Sequence, residues 1–272
     1  MSDREIAAAV RIMATINALS WLALGAGWHA GAAWALDLWP WPEVPMTFLF
    51  LASIAASIAV VWATVAWTGE LAALSGVGLN IAVASGATGA HLWQLNLPAP
   101  AAAALVGAAF GVLLFAWARR QSVRDGRAMP ALVRGAFVFF TLTLIAAGGA
   151  LTLSHQVFPW RLHPSGMAVI GAVFLDAAAY FGHAALQTHW VHAAPPLWGF
   201  LVYDLVLFGP YLRMLSGGDA FLDEYYDGGG VNMLSLQIYL GVLAASTAVA
   251  LYCLLMHPST RLWRRRAGAQ VS

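Results

Sequence analysis

Long apolar runs separated by short polar breaks occupy most of the chain. The runs predict eight helices, each close to the roughly 20 residues that one crossing of the hydrocarbon core requires. The predicted helices cover residues 12–36, 45–68, 71–94, 99–118, 131–154, 166–187, 195–214 and 231–256. Breaks rich in proline and glycine separate them, among them WPWPEVP, QLNLPAP, HPSG and DGGG. The pattern therefore predicts an all-α fold, a polytopic transmembrane helical bundle that forms one transmembrane domain over residues 1–272.

The composition is typical of a membrane protein and excludes the kinds of active site that require lysine. The 272 residues are 61% hydrophobic and 9% charged, whereas a soluble domain carries about a quarter charged residues. The net charge of +1 gives no reason to expect a nucleic-acid partner. All 13 basic residues are arginine, so neither a lysine Schiff base nor a phosphate-binding loop with its lysine can form.

The helix count and the arginines together predict the orientation in the membrane. The helices at 45–68 and 71–94 are almost continuous, so seven helices are the alternative to eight. The opening MSDREIAAAVRIM has mixed charge and no clean cleavage context, which favours a retained first helix over a signal peptide. An even count places the segments RRQSVRDGRAMP and STRLWRRRAG on one side. The positive-inside rule then predicts both termini in the cytoplasm of a bacterial inner membrane, with the acidic loop SGGDAFLDEYYDGGG outside.

Four histidines are predicted at one depth near the outer surface. They are His29, His91, His155 and His163. At a rise of 1.5 Å per residue, the four fall within roughly 10 Å of one level. Imidazole is the commonest metal ligand and also binds haem iron, so this level predicts a site for copper, iron, zinc or haem. The alternative is that each histidine binds headgroups or backbone at the interface, since no HExxH, HxxxH or CxxC spacing is present.

Two carboxyl groups are predicted in the middle of the membrane. Asp176 lies about ten residues into the sixth helix and Asp204 about nine into the seventh. Antiparallel neighbouring helices would bring the two acids to one depth, with Tyr180, Tyr203 and Asn80 nearby. Acids inside a bilayer usually face an interior site, and if the two carboxyls are close, the pKa of at least one rises, which gives a carboxyl that can exchange protons. The alternative is a pair of protonated acids that hold the bundle together.

Other residues are interpreted from their position alone. Glu70, in the break TGE, is predicted to be solvated, and Trp39 and Trp160 fall near helix ends, which is typical of interfacial aromatic belts. The small residues of GAGWHAG and GVGLNIAVASGATGA predict closely packed helices.

One segment is similar to a known family. The run FPWRLHPSGMAVIGAVFLDAAAY contains four short matches, and Phe208-Gly209-Pro210 follows downstream. The matches are Phe158-Pro159, Pro164-Ser165, Gly171-Ala172 and Leu175-Asp176. Over about residues 158–210 the chain resembles the integral-membrane A subunit of the ammonia and methane (copper membrane) monooxygenases. The resemblance implies a membrane subunit of a copper-dependent oxygenase complex but transfers no ligands, because the A subunit is not the family's main metal carrier.

The chain also departs from that family. Its Pro-Gly-Asn-Trp-Pro run is missing here, where YDLVLFGP stands. Separately, LWPWPEVPMTFLFLASI is similar to stretches of uncharacterised bacterial polytopic membrane proteins, which implies no function.

Three functional hypotheses follow from the sequence. The first is a redox or monooxygenase-like membrane subunit with a metal or haem site near the outer, periplasmic face. The second is a proton-coupled small-molecule transporter that uses Asp176 and Asp204 as the coupling pair. The third is a non-catalytic anchor or assembly subunit that docks partners on its acidic outer loop. Besides the lipid bilayer, other membrane subunits or a homo-oligomer are the expected partners, and the sequence leaves open whether the protein is an enzyme.

Overall fold

The computed structural model describes residues 3–153, 157–216 and 231–260, and these residues contain nine α-helices. The helices are α1 (Asp3–His29), α2 (Ala33–Leu36), α3 (Pro45–Thr68), α4 (Leu74–Gln94), α5 (Pro98–Ala118), α6 (Ala131–Leu153), α7 (Pro164–Ala185), α8 (Ala194–Ser216) and α9 (Met233–Leu251). Short 3₁₀ turns at Leu71–Ala73 and Trp190–His192 lead into α4 and α8. A π-helical turn at Tyr252–Met256 continues α9.

In the described part of the chain, eight helical segments are long and apolar enough to cross a membrane. They are Glu5–His29, Pro45–Thr68, Leu71–Gln94, Pro98–Ala118, Ala131–Leu151, Pro164–Ala185, Trp190–Ser216 and Met233–Met256. The predicted polytopic helical bundle is therefore confirmed, with eight apolar segments rather than seven. Gly69 separates α3 from α4, because its backbone adopts the left-handed conformation with φ 67° that favours glycine.

Proline fixes several helix starts, and the first helix departs most from its predicted bounds. Proline is the first residue of α3, α5 and α7, a position where its missing N–H costs nothing. The first helix was predicted from residue 12 to 36. Instead, α1 begins at Asp3 and ends at His29, and Gly31, with φ 64°, turns the chain before the separate α2.

The long helices pack as two sets of four. In one set, α4 packs against α5 and α7, and α7 also packs against α6. In the other, α3 packs against α1 and α8, and α8 also packs against α9. Three clusters of buried apolar side chains join the sets, the largest around Phe50, Trp160 and Phe174. Sequence neighbours such as α7 and α8 therefore have their main packing partners in different sets.

Close helix contacts occur where the sequence offers glycine. A Cβ atom on Gly78 of α4 would lie 2.8 Å from the carbonyl oxygen of Gly111 on α5. On α1, a Cβ atom on Gly25 would lie 3.1 Å from the carbonyl oxygen of Ala52 on α3. The predicted role of these small residues in packing is thus confirmed at both crossings.

The two ends of the bundle differ in charge. The end named here the basic end carries Arg11, Arg124 and Arg127; Arg11 donates to the carbonyl oxygen of Ala66, and Arg127 donates to that of Thr260. The opposite end, named the Glu43 end, carries Glu43, His91 and His163. Regions near both ends of the chain therefore meet at the basic end.

Candidate functional site

A buried acid–amide pair joins α4 to α7. Asp176 is 7% exposed, and its Oδ1 accepts a hydrogen bond of 2.7 Å from the side-chain amide of Asn80. Asn80 is uncharged, so this bond does not neutralise an ionised carboxylate. The predicted proximity of Asn80 and Asp176 is present in the structure.

Polar pairs continue along the same helix contact, called the α4–α7 seam. Towards the basic end, the hydroxyl of Ser75 lies 2.9 Å from Nε2 of His183. Towards the Glu43 end, Nε2 of His91 lies 3.1 Å from the carbonyl oxygen of Ser165. His91 follows Asn80 on α4, and its partner Ser165 precedes Asp176 on α7 by the same number of residues. The two helices are therefore antiparallel neighbours in constant register.

Tyr180 completes the seam one turn from Asp176. Its ring lies directly over Gly76, in the space that a side chain at position 76 would fill. The Tyr180 hydroxyl is buried, and no hydrogen-bond partner for it is found in the described part of the chain. Tyr180 is thus held against α4 by its ring, a contact that its spacing to Asp176 does not predict.

Asp204 forms a separate group and does not pair with Asp176. It is 0% exposed, and its Oδ2 accepts hydrogen bonds from Ser246 at 2.6 Å and Thr247 at 3.1 Å, both on α9. No hydrogen bond joins the two carboxyls. The expectation that the acids meet assumed that α7 and α8 are close neighbours, but α8 packs mainly on α3 and α9. We assign Asp204 to holding α8 against α9.

Tyr203 also has its main contacts away from the seam. Its hydroxyl is hydrogen-bonded to that of Tyr239, and its ring packs against Phe50 and Phe200. Although adjacent to Asp204 in sequence, Tyr203 joins the aromatic cluster between α3, α8 and α9.

Sequence reasoning missed Glu43, which lies where the α4–α7 seam reaches the Glu43 end. Its Oε1 accepts from the backbone N–H of His163 at 3.2 Å, and its Oε2 accepts from the Thr47 hydroxyl at 3.1 Å. The Thr47 oxygen in turn accepts from the indole N–H of Trp160 at 3.0 Å. This chain of bonds ties the turn before α3 to the segment before α7.

The position of Glu43 depends on the start of α7. A Cβ atom on Gly166 would lie 2.5 Å from Oε1 of Glu43, so a larger residue at position 166 would displace the carboxyl from its present position. The N-terminus of a helix favours negative charge, which suits a carboxylate. Burial nevertheless raises the pKa of Glu43 from 4.5 to about 7, while the bonds from His163 and Thr47 act against this rise. Glu43 therefore titrates near neutral pH.

Replacing Glu43 with glutamine is expected to reduce the pH dependence of stability. The folded protein binds the Glu43 proton more tightly than the unfolded chain, so folding stability falls as pH rises from 4.5 to about 7. Glu70, whose pKa burial also raises, acts in the same direction. In Glu43→Gln, the thermal-unfolding midpoint in detergent is expected to fall less between about pH 5 and pH 8, by a few degrees.

The matched control is Asp37→Asn, a substitution of an exposed carboxyl directly after α2. Its midpoint should follow the parent protein at every pH. Parallel curves for the parent protein and Glu43→Gln would contradict the assignment of this titration to Glu43.

The four histidines predicted at one depth do not all come together. His91 and His163 meet at Ser165, where His91 contacts the carbonyl oxygen and Nδ1 of His163 accepts from the backbone N–H at 3.2 Å. His29 is exposed at the end of α1. His155 lies outside the described residues. Within the described ranges, no three His, Cys, Asp or Glu side chains are grouped closely enough to hold a metal ion, so the copper, iron or haem site stays a prediction.

Two predictions from position were wrong. Glu70 was expected to be solvated, yet it is 7% exposed, and its Oε2 accepts from the backbone N–H of Arg124 at 3.1 Å. Trp160 was expected in an interfacial belt, yet it is 1% exposed in the cluster around Phe50. Both residues lie in connections that fold back onto the bundle, which hydropathy does not reveal. The acidic loop predicted as a docking surface, residues 217–230, lies outside the described residues, so its role with partners stays a prediction.

A weak signal for Glu43 was present in the sequence. It is a lone acid in WPWPEVP, directly before a helix that begins with proline. For Ser75, Ser246 and Thr247 no comparable signal exists, because hydroxyl residues are common in membrane helices and satisfy themselves on the preceding turn.

Comparison with known proteins adds no relative. No protein-family model, curated protein or solved structure matches the chain. The resemblance to the monooxygenase A subunit therefore stays a prediction, and the class of protein that the structure defines is a multi-pass helical membrane protein.

Proposed function

We propose that the protein is a proton-coupled small-molecule transporter in which Asp176 takes up and releases the proton. The observation that carries this proposal is the burial of Asp176 in the α4–α7 seam, with an uncharged amide as its hydrogen-bond partner. An ionised aspartate in the middle of a membrane costs about 2.5–3.5 kcal/mol on insertion scales, and a bound proton removes that cost. Such acids usually mark the path of a substrate, an ion or a proton.

Protonation of Asp176 gives the transporter two states. The neutral acid is compatible with the closed seam, in which Asn80 donates to Oδ1. The carboxylate requires water or a cation beside it, which favours a seam that is open towards one end. A substrate that binds one of these states better than the other is then coupled to the proton.

We propose further that the basic end faces the cytoplasm of a bacterial inner membrane. The arginines there outnumber the basic groups of the described segments at the Glu43 end, and such an excess is typical of cytoplasmic loops. With Arg11 and Thr260 both at the basic end, this orientation places both termini in the cytoplasm.

Infrared difference spectroscopy between low and high pH tests the protonation of Asp176 without a known substrate. The parent protein in nanodiscs is expected to show carboxyl C=O bands from its titrating acids, Glu43 among them. One of these bands, that of Asp176, should disappear in Asp176→Asn and shift in Asp176→Glu. Asp204→Asn should retain the band. The same proteins in liposomes with an internal pH dye are then screened for acidification driven by amino acids, sugars and organic ions, which Asp176→Asn should abolish. A parent protein with neither the band nor proton-linked flux would overturn the proposal.

A metal centre at the Glu43 end is the second candidate function. The observation in its favour is that His91 and His163 both contact Ser165, which brings two possible imidazole ligands to one residue, although no third ligand is grouped with them in the described ranges. This candidate retains the redox or monooxygenase-like subunit suggested by the sequence, with copper, iron or haem as cofactor. Elemental analysis and an absorption spectrum of the purified protein test it: bound metal that is lost in His91→Ala supports it, and a colourless, metal-free protein with full proton-linked flux contradicts it.

A further inference from the structure

Titratable and hydroxyl side chains continue from Asp176 to the basic end. On α7, Tyr180 follows Asp176 by one turn and His183 follows Tyr180 by another, so successive side chains are about 5 Å apart along the helix. Across the seam, Ser75 bonds to His183 and Gly76 accommodates the ring of Tyr180. The seam thus carries a polar group at every turn between Asp176 and its basic end.

His192 extends this series beyond α7. It lies in the 3₁₀ turn before α8, is 8% exposed, and its ring centroid lies 6.1 Å from that of His183 with the planes at 89°. The Nδ1 atom of His192 is buried, and the described part of the chain offers it no hydrogen-bond partner. Tyr180 is also 8% exposed as a residue, and its buried hydroxyl likewise finds no hydrogen-bond partner among the described residues.

These two unpaired atoms call for an explanation. A buried polar atom without a partner is energetically unfavourable, and native proteins hold few such atoms. The Tyr180 hydroxyl lies on one side of the Ser75–His183 bond and Nδ1 of His192 lies on the other. The hydrogen bonding along this series of side chains is therefore interrupted at two places. Both atoms therefore have a free hydrogen-bonding position next to the Ser75–His183 bond, where a proton can be accepted or donated.

We propose that His192, His183 and Tyr180 carry protons between the basic end and Asp176. The inference rests on the proposed function, because it assumes that Asp176 exchanges a proton. Each imidazole binds a proton at one ring nitrogen and releases the proton on its other nitrogen. The Tyr180 hydroxyl bonds to neither His183 nor Asp176 in the described part of the chain, so water molecules that enter the seam connect them. The hydroxyl accepts a proton from His183 through one water molecule as its own proton passes through another to the Asp176 carboxylate. The net result is one proton removed from water at the basic end and one O–H bond formed on Asp176.

Charged and titratable groups surround the histidine pair at the basic end. From α5, the guanidinium of Arg119 lies 5.2 Å over the ring of Phe115, which in turn packs on His183 at 5.6 Å. His189 precedes the turn that holds His192 and interacts with it electrostatically. Any measurement of pH dependence must therefore include these groups.

In the opposite direction, neither α4 nor α7 carries a titratable side chain between the Asn80–Asp176 pair and the His91–Ser165 contact. Between the Asn80–Asp176 pair and the His91–Ser165 contact, the seam runs about 16 Å along both helices. The α7 residues in this interval, from Gly166 to Leu175, are glycine or apolar. A proton from the Glu43 end would have to cross this interval without side chains to carry it on α7.

The rate at which Asp176 exchanges its proton tests the proposal. After a pH jump, time-resolved infrared spectroscopy follows the Asp176 carboxyl band in His183→Gln and His192→Gln, where glutamine keeps a polar side chain but does not titrate. In both variants, the rate at which the band appears is expected to fall about tenfold or more, since proton transfer by a positioned side chain contributes 10²–10⁴-fold. The final amplitude of the band should stay unchanged. In His183→Ala, added imidazole should restore part of the lost rate.

A matched histidine provides the control. His257 lies at the same end and bonds to Ser259 outside the seam. In His257→Gln, the Asp176 carboxyl should therefore exchange its proton at the parental rate. Parental rates in the His183 and His192 variants would overturn this proton route and leave Asp176 as the exchanging group. Slow exchange in His183→Ala that imidazole fails to restore would also overturn it. A parent protein without an Asp176 band would overturn the proposed function together with this inference.

Discussion

Gly111→Ala is expected to lower the thermal-unfolding midpoint of the protein by roughly 5–10 °C. Gly111 and Gly78 face each other where α5 crosses α4. A Cβ atom on Gly111 would lie 2.5 Å from the backbone nitrogen of Ala82 and 2.7 Å from the carbonyl oxygen of Gly78. Both obstacles are backbone atoms, so no side chain can rotate away and the two helices must separate.

Separation of α4 from α5 has a cost that no new contact offsets. Helices in a bilayer associate through close packing, because lipid tails are as apolar as the side chains that they would replace. Gly78→Ala meets the same backbone from the other side and should have a similar effect. The measurement is the unfolding midpoint in one detergent, with intact protein quantified by size-exclusion chromatography.

Glycines in open space provide the control for this prediction. A Cβ atom on Gly241 of α9 or on Gly135 of α6 meets no atom within 4 Å. Alanine has the higher helix propensity, so Gly241→Ala and Gly135→Ala should leave the midpoint unchanged or raise it slightly. A Gly111→Ala protein as stable as these two would contradict the close contact of α4 and α5.

Hydropathy and turn residues were sufficient to predict the fold class and most helix positions. Helix α3 occupies the predicted residues 45–68, because Pro45 can only begin a helix and Gly69 adopts a conformation that ends one. The start of α1 was missed because its first turns contain charged residues. A helix needs internal hydrogen bonds rather than an apolar environment, so the helix extends beyond the part that lipid can cover.

The site was predictable in depth but not in its lateral arrangement. Counting residues placed Asn80 and Asp176 at one level, and the structure pairs them. The same count placed Asp204 at that level as well, yet Asp204 bonds to α9. Rise per residue gives depth along the membrane normal, whereas the identity of a neighbouring helix depends on packing between segments far apart in sequence. Glu43 was missed for a related reason, since its partners come from a connection folded back over the bundle.

Exchanging the carboxyl and the amide across the seam tests whether proton uptake requires only a carboxyl–amide pair or requires the carboxyl to lie on α7. Asp176→Asn alone should abolish both the infrared carboxyl band and any proton-linked flux, because an amide does not take up a proton near neutral pH. The double variant Asn80→Asp with Asp176→Asn returns one carboxyl and one amide to the same contact of 2.7 Å. Its carboxyl lies on α4 instead of α7, with the same partner and a similar degree of burial. We therefore expect the band to return at a shifted frequency and the flux to recover in part.

The single variant Asn80→Asp completes the comparison and fixes its interpretation. It places two carboxyls in one buried contact, where they cannot both be ionised at low cost, so it should retain the band and hold one proton more tightly. Asp204 lies on α8 and bonds to two hydroxyls of α9, away from the seam. Asp204→Asn should therefore behave as the parent protein in both measurements. Flux that persists in Asp176→Asn would remove Asp176 as the proton site. A double variant that folds but shows neither band nor flux would instead mean that the acid must lie on α7, next to Tyr180, for the proton to reach it.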